Sequence, residues 1–285
     1  MCNIGLVLSG GMAKGAYQIG ALRAIGEFFD PSDFKYVSSA SVGALNTYVF
    51  LTNAMEKGIE IWSSVSGGNV KKWATSILKS DFMQQAVRKI AASSSAISNT
   101  CYIPLVSIKK RKLIYVDIGK VPPQDIEPYL QASIAMPVFN ASVLIDGEYF
   151  YDGAIVDNIP IQPILQHPID YIICIYFDEH DYIFENELLD NKVIKMNFSD
   201  NKIISSSICM TDDSIQYMIE EGYARAMQIL QQVFASGTEN LDAVYKQIEQ
   251  LNKASEKKNL RITGDVIVNN MNRVVKKFIN KIEIV

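Results

Sequence analysis

Histidine is almost missing from this chain: His167 and His180 are the only two in 285 residues. That scarcity excludes a histidine-rich metal centre and leaves few imidazoles for acid–base chemistry. Cysteine is sparse as well. Cys2, Cys101, Cys174 and Cys209 are scattered, with no CxxC and no metal-ligand spacing. They read as reduced thiols, with Cys101 and Cys174 expected in the core. No apolar run reaches the roughly 18 residues of a spanning helix, and no basic segment followed by an apolar one opens the sequence. A soluble, cytoplasmic protein is the expectation. Neither sign of charge dominates: the net charge is -4, which gives no case for a nucleic-acid partner.

What is present is enough apolar material for a large core, 48% of residues against 20% charged. Ile4 to Leu8 is a short apolar run ended by Ser-Gly-Gly, and apolar residues from Ala16 to Phe28 then fall at helical spacing. Tyr36 to Ser39 is a second short strand, followed by a helix over Val42 to Met55. This β-α-β-α opening predicts an α/β fold, a parallel sheet with helices on its faces. Residues 56 to 100 look helical with soft breaks, suited to a cap. Runs at Ile103 to Ile108 and Leu113 to Ile118 flank Lys109-Lys110-Arg111-Lys112, which reads as a solvated hairpin tip. Pro122-Pro123 starts a helix running to Met136. Asp146-Gly147 is a hairpin turn between Val143–Ile145 and Tyr149–Tyr151. Tyr171 to Phe177 is another buried strand. Helices are expected at Asp213 to Phe234, Leu241 to Ala254 and Val266 to Ile282. The division expected is a core over residues 1–180 and a mainly helical part over 181–285, packed on it as one continuous domain.

The chemistry concentrates at three places. Ser41 lies in Ser39-Ala40-Ser41-Val42-Gly43, between a strand and a helix, the context of a nucleophile elbow. The plain alternative is a helix N-cap, a position serine favours. Upstream, Ser9-Gly10-Gly11-Met12-Ala13-Lys14-Gly15 is a strand-to-helix turn whose free N–H groups suit a developing oxyanion. A nucleotide-binding turn is its alternative, although the phosphate-loop pattern is absent and Met12 interrupts G-x-G-x-x-G. Downstream, Asp152-Gly153-Ala154 follows a strand and offers a carboxylate base. Its alternative is an ordinary Asp-Gly turn, like Asp146-Gly147. His167 and His180 lack triad-like surroundings and read as surface residues.

Taken in order, these pieces resemble the patatin-like phospholipases. The matching segments are Ser9 to Gly15, Ser39 to Gly43, Ala132 to Phe139 and Ile145 to Pro160, within residues 4 to 178. The resemblance implies a three-layer α/β/α sandwich with a mainly parallel central sheet. It also implies a Ser41–Asp152 dyad and an oxyanion hole from the amides of Gly10, Gly11 and Met12. Lys14, Gly15, Gly43 and Gly153 would support those turns. The activity implied is lipid acyl hydrolysis of phospholipid esters, with no cofactor and no metal. The departures are Met12 and Ser39, each standing where the family has glycine. Met12 is expected to keep φ below zero and to turn its thioether toward the acyl channel. The rival readings are a thioesterase or small-ester hydrolase, and a silent lipid- or nucleotide-binding module. For membrane contact the candidate is the last helix, with Arg273, Lys276, Lys277 and Lys281 beside Val274, Val275, Phe278, Ile279 and Ile282; packing on the domain is its preferred reading. Met210, Met218 and Met227 read as core filler before acyl pocket.

Overall fold

A computed structural model of the chain describes residues 2–64, 81–92, 95–137, 140–178, 187–198, 212–256 and 282–284. The elements run β1 (Ile4–Leu8), α1 (Gly15–Ile25), β2 (Phe34–Ser39), α2 (Val42–Leu51), α3 (Met55–Ser64), α4 (Asp81–Ala91), β3 (Thr100–Ser107) and β4 (Lys112–Asp117). Then come α5 (Ile126–Ser133), β5 (Val143–Ile145), β6 (Glu148–Asp152), β7 (Tyr171–Tyr176), α6 (Glu187–Asp190), β8 (Val193–Asn197), α7 (Asp212–Val233), α8 (Leu241–Glu256) and β9 (Ile282–Ile284).

Among the described residues these strands form one sheet of order β5-β6-β3-β2-β1-β7-β8, with β4 beside β3 and β9 beside β4. The centre is parallel: β1 pairs with β2 and β7, β2 with β3, and β7 with β8. Both faces are buried, which is why β1 and β7 read as unbroken apolar runs. Leu6, Leu8, Ile173 and Ile175 point to one core with α1, α2 and α7; Val7, Ile172, Cys174 and Tyr176 point to the other. Helices cover the first face. Short 3-10 turns at Gly153–Ile155 and Gln162–Ile164, with Leu189 of α6, cover the second.

The C-terminal residues do more than add helices. β8 extends the sheet beside β7, and β9 pairs with β4. Val193-Ile-Lys-Met-Asn197 is short and carries a lysine, so its apolar pattern is too weak to register as a strand. α7 crosses α1 at very close range: a Cβ on Gly20 would lie 1.9 Å from the Ile219 carbonyl oxygen, so only glycine fits. The expected helix over 122–136 is shorter, a 3-10 turn followed by α5. The cap region between α3 and α4, the expected helix at 266–282 apart from its last residue, His180, Cys209 and Met210 lie outside the described residues. Met218 is buried in the core as filler, and Cys101 and Cys174 are buried free thiols.

β3 is the strand that organises the site. One edge carries β4 throughout, from Tyr102 to Ser107. Its other edge takes β2 at residues 100–102 and β6 at 105–107. β2 runs parallel to β3 and β6 antiparallel, so their C-terminal ends converge on one point. Pro104 occupies the gap between the two ladders, where no N–H is needed.

Candidate active site

Ser41 follows β2 by two residues and occupies the turn into α2. Its φ of 55° and ψ of -132° are unusual for a residue with a side chain. That strain is characteristic of residues held for a purpose. The hydroxyl makes no capping hydrogen bond to α2, so the N-cap alternative fails. Ser41 is 8% exposed, at the margin of the buried interior. Gly43 lies in the next turn, against the Ser9 carbonyl, where a Cβ would come within 2.7 Å.

Asp152 ends β6 and is fully buried. Its Oδ1 accepts the Ala154 N–H at 2.8 Å, so part of the ordinary turn role is real. Its Oδ2 has no closed hydrogen bond. The Ser41 hydroxyl is the side chain that interacts with this carboxylate and favours its charged form. That contact is looser than a closed hydrogen bond. Burial dominates over both of these effects and pushes the carboxyl up to about 7. Asp152 N–H is tied to the Ala135 carbonyl at 2.9 Å, and Gly153 packs on Pro104, where a Cβ would come within 2.4 Å. Asp152 therefore sits on a strand end fixed on two sides.

The glycine turn closes over Ser41. A Cβ on Gly10 would lie 2.9 Å from the Ser41 Cβ and 2.6 Å from the Asn158 side chain, so glycine is what permits the approach. The Gly10 N–H donates to the Asn158 carbonyl at 3.3 Å, whereas Gly11 and Met12 N–H have no protein acceptor among the described residues. Gly11 packs on the Phe177 ring, and the Lys14 ammonium lies 5.8 Å from that ring's centre. Gly15 sits beneath Trp62.

The Met12 expectation is corrected here. Its φ is +51°, in the left-handed region, and the residue is 46% exposed. The turn into the 3-10 segment Met12–Lys14 demands that conformation. The backbone requirement outweighs the preference of a side-chain-bearing residue, at a cost of roughly 1–2 kcal/mol.

Several contributors escaped the sequence reading. Gln18 Nε2 donates to the Ser9 carbonyl at 2.7 Å, and Asn46 Nδ2 donates to Gln18 Oε1 and to the Gly15 carbonyl, each at 2.9 Å. Trp62 Nε1 then donates to Asn46 Oδ1 at 2.9 Å. This buried chain ties both ends of the glycine turn to α2 and α3. A lone asparagine inside the apolar Val42–Leu51 helix was the available signal, since a buried amide needs partners. Asn158 lies in a segment already singled out, but nothing in its spacing marks a contact with Gly10. His167 stacks on Tyr36 with ring centres 4.1 Å apart, and its Nε2 lies 3.2 Å from the Tyr102 hydroxyl. It is thus a packed residue on the second face of the sheet rather than a free surface one. Among the described residues no cluster of His, Cys, Asp and Glu could hold a metal ion, and no helix is long and apolar enough to cross a membrane.

Residues 6–165 match the family model described as patatin-like phospholipase. No curated protein matches the chain. Similar solved structures include VipD from Legionella pneumophila, at 14% identity and a TM-score of 0.49, covering 96% of this chain and 80% of that one. The type III effector protein ExoU gives 13% identity and a TM-score of 0.44, over 96% of this chain and 69% of that one. Full-length ExoU from Pseudomonas aeruginosa, in complex with SpcU, gives 12% and 0.43 over 97% and 67%.

Proposed function

This chain belongs to the patatin-like phospholipase family, a family of lipid hydrolases, and on that premise we propose that it cleaves carboxylic esters of glycerophospholipids through Ser41 and Asp152. The observation that carries the reading is the convergence of β2 and β6 on β3. It sets a strained, uncapped serine beside a buried carboxylate with one unsatisfied oxygen.

In this reading Ser41 Oγ attacks the ester carbonyl as Asp152 Oδ2 takes its proton. The tetrahedral oxyanion is held by the N–H groups of Gly11 and Met12, which are free to donate. The alkoxide leaves as the lysophospholipid alcohol, taking a proton from the Asp152 carboxylic acid. Asp152 then draws a proton from water as the water oxygen attacks the acyl carbonyl on Ser41, and returns that proton to Ser41 Oγ as the fatty acid leaves. A carboxylate with a pKa near 7 suits both proton steps, because it gains and gives a proton with little penalty. The same parts would serve a thioester or a small ester, and the unmatched specificity lies in what binds the acyl chain.

The test is mass spectrometry of products from mixed membrane phospholipids. Free fatty acid and lysophospholipid should appear with the native protein and vanish with Ser41→Ala. Products that persist in Ser41→Ala, or their absence with the native protein while a thioester is cleaved, would overturn the phospholipid reading.

A further inference from the structure

The strands that carry Asp152 also build a wall beyond the site. β3 is level with the end of β2 at Tyr102, which pairs with Ser38, and continues to Ser107. At about 3.3 Å per residue that lifts its tip roughly 17 Å past that level. The β3–β4 turn therefore projects from the same end of the sheet as Ser41.

Three apolar side chains stand exposed at that tip. Leu144 pairs with Tyr149 across β5 and β6, and the Ile108 N–H donates to the Tyr149 carbonyl at 3.0 Å. Residues directly opposite one another share a face of the sheet, so Leu144, Tyr149 and Ile108 form one row. They are 53%, 51% and 43% exposed. The other large apolar residues this exposed among those described are Met12 and Tyr217, so the row is a concentration rather than background.

Next to Ile108 comes Lys109-Lys110-Arg111-Lys112, on a chain whose net charge is -4. The carboxylate at this turn is Glu148, 3.9 Å from the Lys110 ammonium and accepting from the Ser107 hydroxyl. The positive excess of the turn lies with Lys109 and Arg111. Lys109 and Arg111 are exposed and have no carboxylate partner among the described residues.

We propose that this tip is a docking surface for an anionic lipid bilayer. Cations flanking an exposed apolar row match such a surface: the cations meet headgroups while the apolar side chains enter the acyl boundary. A nucleic acid would use the cations and leave the apolar row idle. The role of the surface rests on the lipid-hydrolase reading, since it would hold the Ser41 end of the sheet against substrate.

The experiment is vesicle co-sedimentation of the Ser41→Ala protein, with phosphatidylcholine alone and with added phosphatidylglycerol. Binding should favour the anionic vesicles and weaken as salt rises. Lys109→Glu/Arg111→Glu should lower the partition coefficient at least about tenfold. Leu144→Ser/Tyr149→Ser should lower it on both vesicle types. In the native background both double variants should hydrolyse a soluble short-chain ester within about twofold of the parent, which also checks their folding. Vesicle binding unchanged by both double variants would overturn the docking surface. A parent that binds vesicles through this tip but cleaves no ester would leave the surface standing and remove the hydrolase reading.

Discussion

Ser41 and Asp152 arrive at one point from opposite directions. β2 brings Ser38 level with Tyr102, β6 brings Asp152 level with Leu105, and both ladders use the same edge of β3. The pair is set by strand register, so its geometry is held by the sheet rather than by a mobile loop.

Activity should follow the ionisation of Asp152. Burial raises this carboxyl to about 7, and the base must be ionised to accept the Ser41 proton. The expected profile of kcat/KM rises about tenfold per pH unit below 7 and levels off above it. A profile flat down to pH 5 would show that Asp152 ionises like an exposed carboxylate and that its burial has no catalytic consequence.

The same shift predicts a stability gain on removing the charge. The folded protein holds the Asp152 proton more tightly than the unfolded chain, so burial costs nothing below about pH 4. The cost grows as pH rises toward 7 and is constant above it. Asp152→Asn keeps an acceptor for the Ala154 N–H and should be inactive. It should be more stable than the native protein by a few kcal/mol at pH 8, with the gap closing by pH 4. Denaturant melts at the two pH values measure this directly; a variant less stable at pH 8 would contradict it.

Met12 is the one residue of the glycine turn whose side chain opposes its backbone. With φ at +51°, Met12→Gly should stabilise the protein by about 1 kcal/mol and leave turnover intact, since the N–H remains. Gly11→Pro removes an N–H donor and should lower turnover a hundredfold or more. Full activity in Gly11→Pro would move the oxyanion donors elsewhere.

The buried amide chain should matter to rate through position. Asn46→Ala would leave Trp62 Nε1 and Gln18 Oε1 without their partner and remove the side-chain donor to the Gly15 carbonyl. A loss of roughly 2–4 kcal/mol of stability is expected, together with a fall in kcat that exceeds any rise in KM. Unchanged kcat in a folded Asn46→Ala protein would reduce the network to packing.

How much of this was legible beforehand depends on how local the signal is. The β1-turn-α1 opening, the Asp146-Gly147 hairpin, with φ of 49° and 79°, and the long α7 and α8 helices are short-range patterns that a sequence carries openly. Ser41 and Asp152 were visible because small residues crowd the turns around them. β8 was not, because its few alternating residues are stabilised by β7 rather than by their own pattern. The Gln18–Asn46–Trp62 chain was hidden for the same reason: its partners are far apart in sequence. The sign of φ at Met12 went against its residue type because the turn, and not the residue, decides it.

The most direct test of the central claim is fluorophosphonate labelling followed by peptide mass spectrometry. The account predicts one adduct, on Ser41, forming at least a hundredfold more slowly in Asp152→Asn and within a few-fold of the native rate in His167→Ala. Labelling at another serine, an unchanged rate in Asp152→Asn, or a large loss in His167→Ala would contradict the dyad.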